Sequence, residues 1–288
     1  MRSAALLRAC AAVLLLAPAL VAPAFVTPVA AAEIPWVVNE HSRIRLVALG
    51  PAADDPDAGV MGIQIRMQAG WETYWRSPGD AGVPPEFDFD GTENVDELYV
   101  DWPLPERKVQ AGLTTYVYHN DVLLPVTIYP VERAVPVKVR LHITYAACRE
   151  VCVLEEATLA IDAALDKTDN NLVALFEQNR ARMPALDNRP GLAIERVAET
   201  TDGNRRVLDV IARADTAWDG ADIIIETQDG FQFKPAVVIP SMQGRRITLR
   251  SEYTHPKGLR LQEGDEVLVT VFDKSRAIER LLPVLPPE

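Results

Sequence analysis

Apolar and polar residues alternate with period two along much of this chain. The run Val137-Lys-Val-Arg-Leu-His-Ile-Thr-Tyr145 is the clearest case. Val137, Val139, Leu141, Ile143 and Tyr145 fall on one side, and Lys138, Arg140, His142 and Thr144 on the other. Successive side chains of a strand point to opposite faces, so this run predicts a strand with one face in a core and one in water. Similar short β-rich runs predict strands over 43–49, 60–68, 86–89, 122–129 and 153–161. From 170 to 183 the period changes. Leu172, Leu175, Phe176 and Met183 fall at helical spacing, and Pro184 stops the run. Strands are predicted again over 193–197, 206–211, 222–225, 236–239, 246–249, 266–272 and 277–282. Asp202-Gly203, Asp229-Gly230, Gln243-Gly244 and Glu263-Gly264-Asp265 punctuate them as turns. The economical architecture is two β-sandwiches, 33–165 and 191–288, joined by a helical linker over 166–190.

The first 32 residues follow a different pattern. Arg2 and Arg8 form a short basic region, an apolar run extends from Ala11 to Val29, and Ala30-Ala31-Ala32 precedes Glu33. That order matches a signal peptide cleaved near Ala32 and predicts a periplasmic protein. A retained anchor fits less well, because Pro18, Pro23 and Pro28 interrupt the run and no basic flank follows it. Past the signal no apolar stretch reaches the roughly 20 residues that span a bilayer, so the mature chain is expected to be soluble, with no membrane insertion. The net charge of −12 repels phosphate backbones and argues against a nucleic-acid partner.

Three cysteines are present, and Cys10 is expected to leave with the signal. Cys148 and Cys152 remain, four positions apart. In a continuous strand they would stand about 13 Å apart, whereas a disulfide needs Cα atoms roughly 4.4–6.8 Å apart. Two geometries satisfy that limit, a tight hairpin with Arg149-Glu150-Val151 at its tip or a single helical turn. The tip lacks the glycine that a three-residue loop prefers. As a staple the pair would do little: a 15-residue loop is worth about 3 kcal/mol, and a shorter one less. A very short loop is also the kind that raises the reduction potential and makes the bond labile. A redox-active pair is therefore expected, with a structural staple as the alternative. Arg149 favours a thiolate here, while Glu150, Glu155 and Glu156 oppose it. A third reading sets both thiolates with His142 around Cu(I) or Zn²⁺, but no second histidine is near. No Gly-rich phosphate loop or nucleophile–base–acid set stands out, and no cofactor is expected.

With the cysteines and their flanks in view, the first half resembles the N-terminal periplasmic domain of the DsbD/ScsB family of thiol–disulfide interchange proteins. Four features carry the resemblance over about 40–163: Gly70-Trp-Glu-Thr-Tyr-Trp-Arg-Ser-Pro-Gly-Asp-Ala-Gly82 followed by Pro84-Pro85; Trp102-Pro-Leu-Pro-Glu-Arg107; Val122-Leu-Leu-Pro-Val126; and Tyr145-x-x-Cys-x-x-x-Cys152. The three-residue cysteine spacing is closer to the ScsB-like branch, since five intervening residues would be expected of DsbD proper. The resemblance implies an immunoglobulin-like β-sandwich carrying the redox-active pair, and with the strand pattern above the expected fold is all-β, two immunoglobulin-like β-sandwich domains joined by a short helical linker. It implies electrons passing between a transmembrane partner domain and periplasmic thioredoxin-like proteins. By position Cys152 matches the cysteine that forms mixed disulfides, and Cys148 its resolving partner. A shielding cap loop is expected near 106–113, without the aromatic tip of the family. Tyr74, Trp75, Arg107, Tyr116 and Tyr118 are the site-lining or cap candidates, with Arg76 and Asp80 as further polar ones. The family's membrane and thioredoxin-like domains have no counterpart in the sequence, so a separate transmembrane thiol reductase is the expected electron source. The alternative is a non-catalytic binding or assembly module with a structural disulfide, linked to copper tolerance.

Overall fold

The structure, a computed structural model, describes residues 35–165, 173–227 and 230–287. The predicted signal peptide lies outside the described residues. In chain order the first strands are β1 (Val37–Val38), β2 (Ser42–Pro51), β3 (Gly59–Met67), β4 (Glu72–Gly79), β5 (Glu86–Asp88), β6 (Glu97–Val100), β7 (Glu106–Gln110), β8 (Leu113–His119), β9 (Asp121–Tyr129), β10 (Val137–Cys148) and β11 (Cys152–Ala163). They form two sheets. One runs β1-β2-β3-β9-β6, and the other β11-β10-β4-β8-β7 with β5 added along β10.

The alternating run 137–145 lies in β10 as its pattern requires, with its apolar side chains buried and Lys138 and His142 exposed. Ile44, Ile63, Ile65, Leu124 and Ile128 meet Trp75, Tyr118, Leu141, Ile143 and Tyr145 in the core between the sheets. Full burial of such side chains contributes roughly 1.5–3 kcal/mol each. Four strands in 70–120 were not legible as alternation. In β4 the reason is visible: Glu72, Thr73, Tyr74 and Trp75 are all buried, so neither face is written in polar residues.

The helix α1 (Val173–Arg180) ends three residues before Met183, the last residue of its sequence pattern, and lies against the outer side of the first sheet. Leu175 and Phe176 pack there on Val47, Leu49, Val60 and Leu123. This explains why β3 is buried on both faces. The segment is thus a cover for the first sandwich as well as a connection.

The remaining strands are β12 (Leu192–Asp202), β13 (Arg205–Ala214), β14 (Asp222–Glu226), β15 (Gln232–Phe233), β16 (Val237–Ser241), β17 (Arg246–Thr254), β18 (Glu266–Phe272) and β19 (Ala277–Pro283). β12, β13 and β17 pair in that order, with β15 and β16 along the far side of β17. β14-β18-β19 forms the facing sheet. Between these two sheets lies a second core, with Ile194, Val210, Leu249, Val269 and Ile278 at its centre. The described residues fall in one compact unit. Ile224 and Phe272 reach into the first core. Arg76 bridges Glu226 and Glu279, and Arg107 pairs with Asp222 at 2.9 Å while donating to the Ile223 carbonyl.

Candidate functional site: a hairpin disulfide under a second hairpin

β10 and β11 pair in register along their whole length, ending with Cys148 opposite Cys152. Directly opposed residues of an antiparallel pair stand about 4.5–5.5 Å apart, and register alone therefore brings the sulfurs together. The bond is formed, with Cα atoms 4.1 Å apart, slightly closer than the usual range. Of the two geometries left open by the spacing, the hairpin is the one realised. Its Arg149-Glu150-Val151 tip is closed by the Arg149 N–H donating to the Val151 carbonyl. No tip residue adopts positive φ, so this turn does not call for the expected glycine.

The base of the hairpin is tied to the other sheet by a buried polar network. The Glu155 carboxylate accepts the His41 N–H at 2.6 Å and the Ser42 hydroxyl, and Ser42 Oγ lies 2.5 Å from Tyr145 Oη. Asn39 donates to the same tyrosine oxygen. Burial pushes the Tyr145 phenol up to about 12, so it stays a neutral partner in this network. Outside it, Trp71 stacks on His41 with ring centres 3.6 Å apart, and Arg149 lies over the same indole.

The two cysteines have opposite environments. Cys148 is 2 % exposed and packs with Tyr74, Val117 and Ala146. Cys152 is exposed. Tyr74 donates its hydroxyl to Cys152 Sγ at 3.6 Å, since a disulfide sulfur has no proton to give. Burial, and then the Glu72 charge, raise the Tyr74 pKa above its ordinary value, which keeps that hydroxyl protonated.

A cleft of about 250 Å³ surrounds the pair, lined by Glu72, Tyr74, Lys108, Leu113 and Arg149 among others. Its roof is the β7–β8 hairpin, at the place where the cap loop was expected. Gln110 pairs with Leu113 across a two-residue turn, Ala111-Gly112, in which both residues have positive φ. Such turns match the twist of an antiparallel pair, so a short regular hairpin replaces a loop with an aromatic tip. Lys108 Nζ holds this roof to the floor through Glu72, at 2.8 and 2.9 Å.

Strand parity decides which sequence candidates reach the cleft. On β4, Glu72 and Tyr74 face it, whereas Trp75 points into the core and is 1 % exposed. On β8, Tyr116 and Tyr118 belong to the core as well. On β7, Lys108 and Gln110 line the cleft, and Arg107 turns the other way to Asp222 and Tyr116. Of the five lining candidates, the structure brings only Tyr74 to the sulfurs. Arg76 and Asp80 are also elsewhere, Arg76 with Glu226 and Glu279, and Asp80 accepting the Thr114 N–H at 2.8 Å. Glu72 and Lys108 went unnoticed in the sequence. Alternation around Tyr74 would have found them, had β4 and β7 been recognised as strands. The metal reading that used His142 fails on distance. His142 bonds Thr158 six residues up the strand from Cys148, about 20 Å away at strand rise. Among the described residues no cluster of three metal-ligating groups occurs.

A β-sandwich that ends in one hairpin disulfide, with one sulfur exposed and the other buried, is a thiol–disulfide interchange module. Residues 45–163 match the family described as thiol:disulfide interchange protein DsbD, N-terminal. Residues 182–285 match a domain of unknown function, DUF8393. Among solved structures, the N-terminal periplasmic domain of ScsB from Proteus mirabilis is similar, with a TM-score of 0.67 and 20% identity. The match covers 87% of this chain and 97% of that one, so the likeness in fold extends over both sandwiches. No curated protein matches the sequence. No helix among the described residues is long and apolar enough to cross a membrane.

Proposed function

We propose that the protein is a periplasmic thiol–disulfide carrier that passes reducing equivalents through Cys148 and Cys152 to or from thioredoxin-like partners. A separate transmembrane thiol reductase is its proposed source of electrons. The observation that carries this reading is the asymmetry of the pair, with Cys152 exposed and Cys148 buried beneath the β7–β8 hairpin. A partner thiolate attacks the sulfur it can reach, which makes Cys152 the site of the mixed disulfide and Cys148 the leaving group. In the opposite direction a Cys152 thiolate attacks a partner disulfide, and Cys148 resolves the intermediate by displacing the partner's sulfur. The periplasmic setting is supported by the signal-like N-terminus and by the ScsB likeness.

The test is the reduction potential of the pair in the mature protein, equilibrated against glutathione buffers. A value between about −120 and −270 mV is expected, the range of known exchange proteins. A value well below about −300 mV would make the bond a structural staple. Cys148→Ala should then retain thioredoxin-like partners as mixed disulfides on Cys152, whereas Cys152→Ala should not.

A further inference from the structure

The strand registers place four chemically active side chains in one line. Cys152 opposes Cys148 between β11 and β10, Cys148 opposes Glu72 between β10 and β4, and Glu72 opposes His119 between β4 and β8. Directly opposed residues share a face and carry Cβ atoms about 4.5–5.5 Å apart. The row therefore runs across the sheet from an exposed sulfur, through a buried sulfur and a carboxylate with 6 % side-chain exposure, to an imidazole with 34 %. His119 Nε2 lies 3.7 Å from Glu72 Oε2.

We propose that Glu72 and His119 form a proton relay for Cys148, with Glu72 the group that exchanges the proton with its sulfur and His119 the link to solvent. This rests on the exchange reading above and deepens it. When a partner thiolate attacks Cys152 Sγ, the partner–Cys152 bond forms and the Cys148–Cys152 bond breaks. Cys148 takes the electron pair. It becomes an anion in a buried position beside a carboxylate, where an uncompensated charge is costly. A proton passed from His119 through Glu72 turns it into a neutral thiol, and His119 recovers its proton from water. In the reverse step Glu72 takes the Cys148 proton as that sulfur displaces the partner, and His119 releases it. Electrons move only between the sulfurs, and no other reductant is needed.

Other charges face the row as well. Lys108 and Glu106 approach it from β7, with Glu106 3.9 Å from His119. Tyr74 flanks it on β4, and Arg149 and Glu150 come from the hairpin tip. Lys108 also touches Glu72 and is partly exposed, but it approaches from β7, off the strand row, and holds the carboxylate in place. The Glu72 charge is felt as far as Tyr74, whose hydroxyl reaches Cys152.

The experiment is the rate of disulfide reduction by dithiothreitol, expressed per dithiothreitol thiolate, from pH 5 to pH 9. Wild type should speed up toward low pH, the direction in which an acid-assisted step gains. General acid catalysis typically contributes about 10²–10⁴-fold, and a gain of about a hundredfold is expected. Glu72→Gln and His119→Gln should each flatten that profile. Leu113→Ala thins the roof without touching a charge, and should scale the rate equally at every pH. Profiles of both relay variants that superimpose on wild type would overturn the proposal, even with exchange itself intact. Should Glu72→Gln fail to fold, the half-exposed His119 variant decides alone. A wild-type disulfide that dithiothreitol cannot reduce at all would remove the exchange reading and the relay with it.

Discussion

Tyr74 sits between the two features that define the cleft, with its hydroxyl on Cys152 Sγ and its charge environment set partly by Glu72. Its ring is held from above by Gly82, where φ is +110° and an added Cβ would come 2.4 Å from the ring. Only glycine allows the chain to pass so close in that conformation. A neutral hydroxyl stabilises a thiolate or thiol more than a disulfide sulfur, so it favours the reduced pair. Tyr74→Phe should therefore make the reduction potential more negative. A net hydrogen bond of about 1 kcal/mol corresponds to about 20 mV for a two-electron couple. Side-by-side glutathione titrations check this, and an unchanged or raised potential would contradict it. At this scale the sequence revealed the cysteines and Tyr74. It could not reveal that Trp75, one residue on, turns away, because both residues are aromatic and only strand parity separates them.

The β7–β8 hairpin is the element that governs access to the sulfurs. It is held at its tip by geometry and along its length by the ion pair of Lys108 with Glu72. Lys108→Gln leaves a buried carboxylate without its nearest cation. Losing a charged hydrogen bond of this kind costs about 1.5–3 kcal/mol, and partial exposure of the lysine places the effect toward the lower end. The hairpin should open more often, seen as faster hydrogen exchange at the β8 amides while β10 amides above Tyr145 keep their protection. Uniform acceleration in both strands would show general destabilisation instead. The elements themselves were only partly legible. β2, β3, β9, β10 and β11 follow from alternation or from apolar runs. β4, β7 and β8 do not, since β4 is buried on both faces and the other two form a short hairpin with a mixed pattern.

Across the whole molecule, the two cores are fastened by charge as well as by apolar contact. Arg76 lies over Trp75 and holds Glu226 and Glu279, the latter also accepting the Thr270 hydroxyl. Breaking a buried pair by removing one partner typically costs about 3–5 kcal/mol, and Arg76→Met should fall in that range in urea unfolding. Burial dominates at Glu226 and raises its pKa, the Arg76 charge works against that shift, and Glu279 adds to it. A carboxyl whose folded pKa is raised contributes stability below its unfolded pKa and loses it as pH rises through the folded value. Protonated Glu226 resembles glutamine, so Glu226→Gln should match wild type at acid pH. Relative to wild type, the variant should then gain stability as the pH rises toward neutrality. Urea midpoints at pH 4 and pH 7 measure it, and a relative loss at pH 7 would refute the sign.

What the sequence by itself determined was local: the period-two strands, the turns, the signal-like N-terminus and a cysteine pair that can be bridged only if the chain turns between its members. These features depend on residues within a few positions of one another, and such spacing is written directly in the order of side chains. Only the tertiary structure decided which face of each strand looks into the cleft, which sulfur is exposed, that Glu72 and Lys108 line the cleft with Cys148, and that His119 stands on the far side of Glu72. Those outcomes depend on register between strands far apart in the chain. A slip of one residue in that register would turn every one of these side chains to the opposite face.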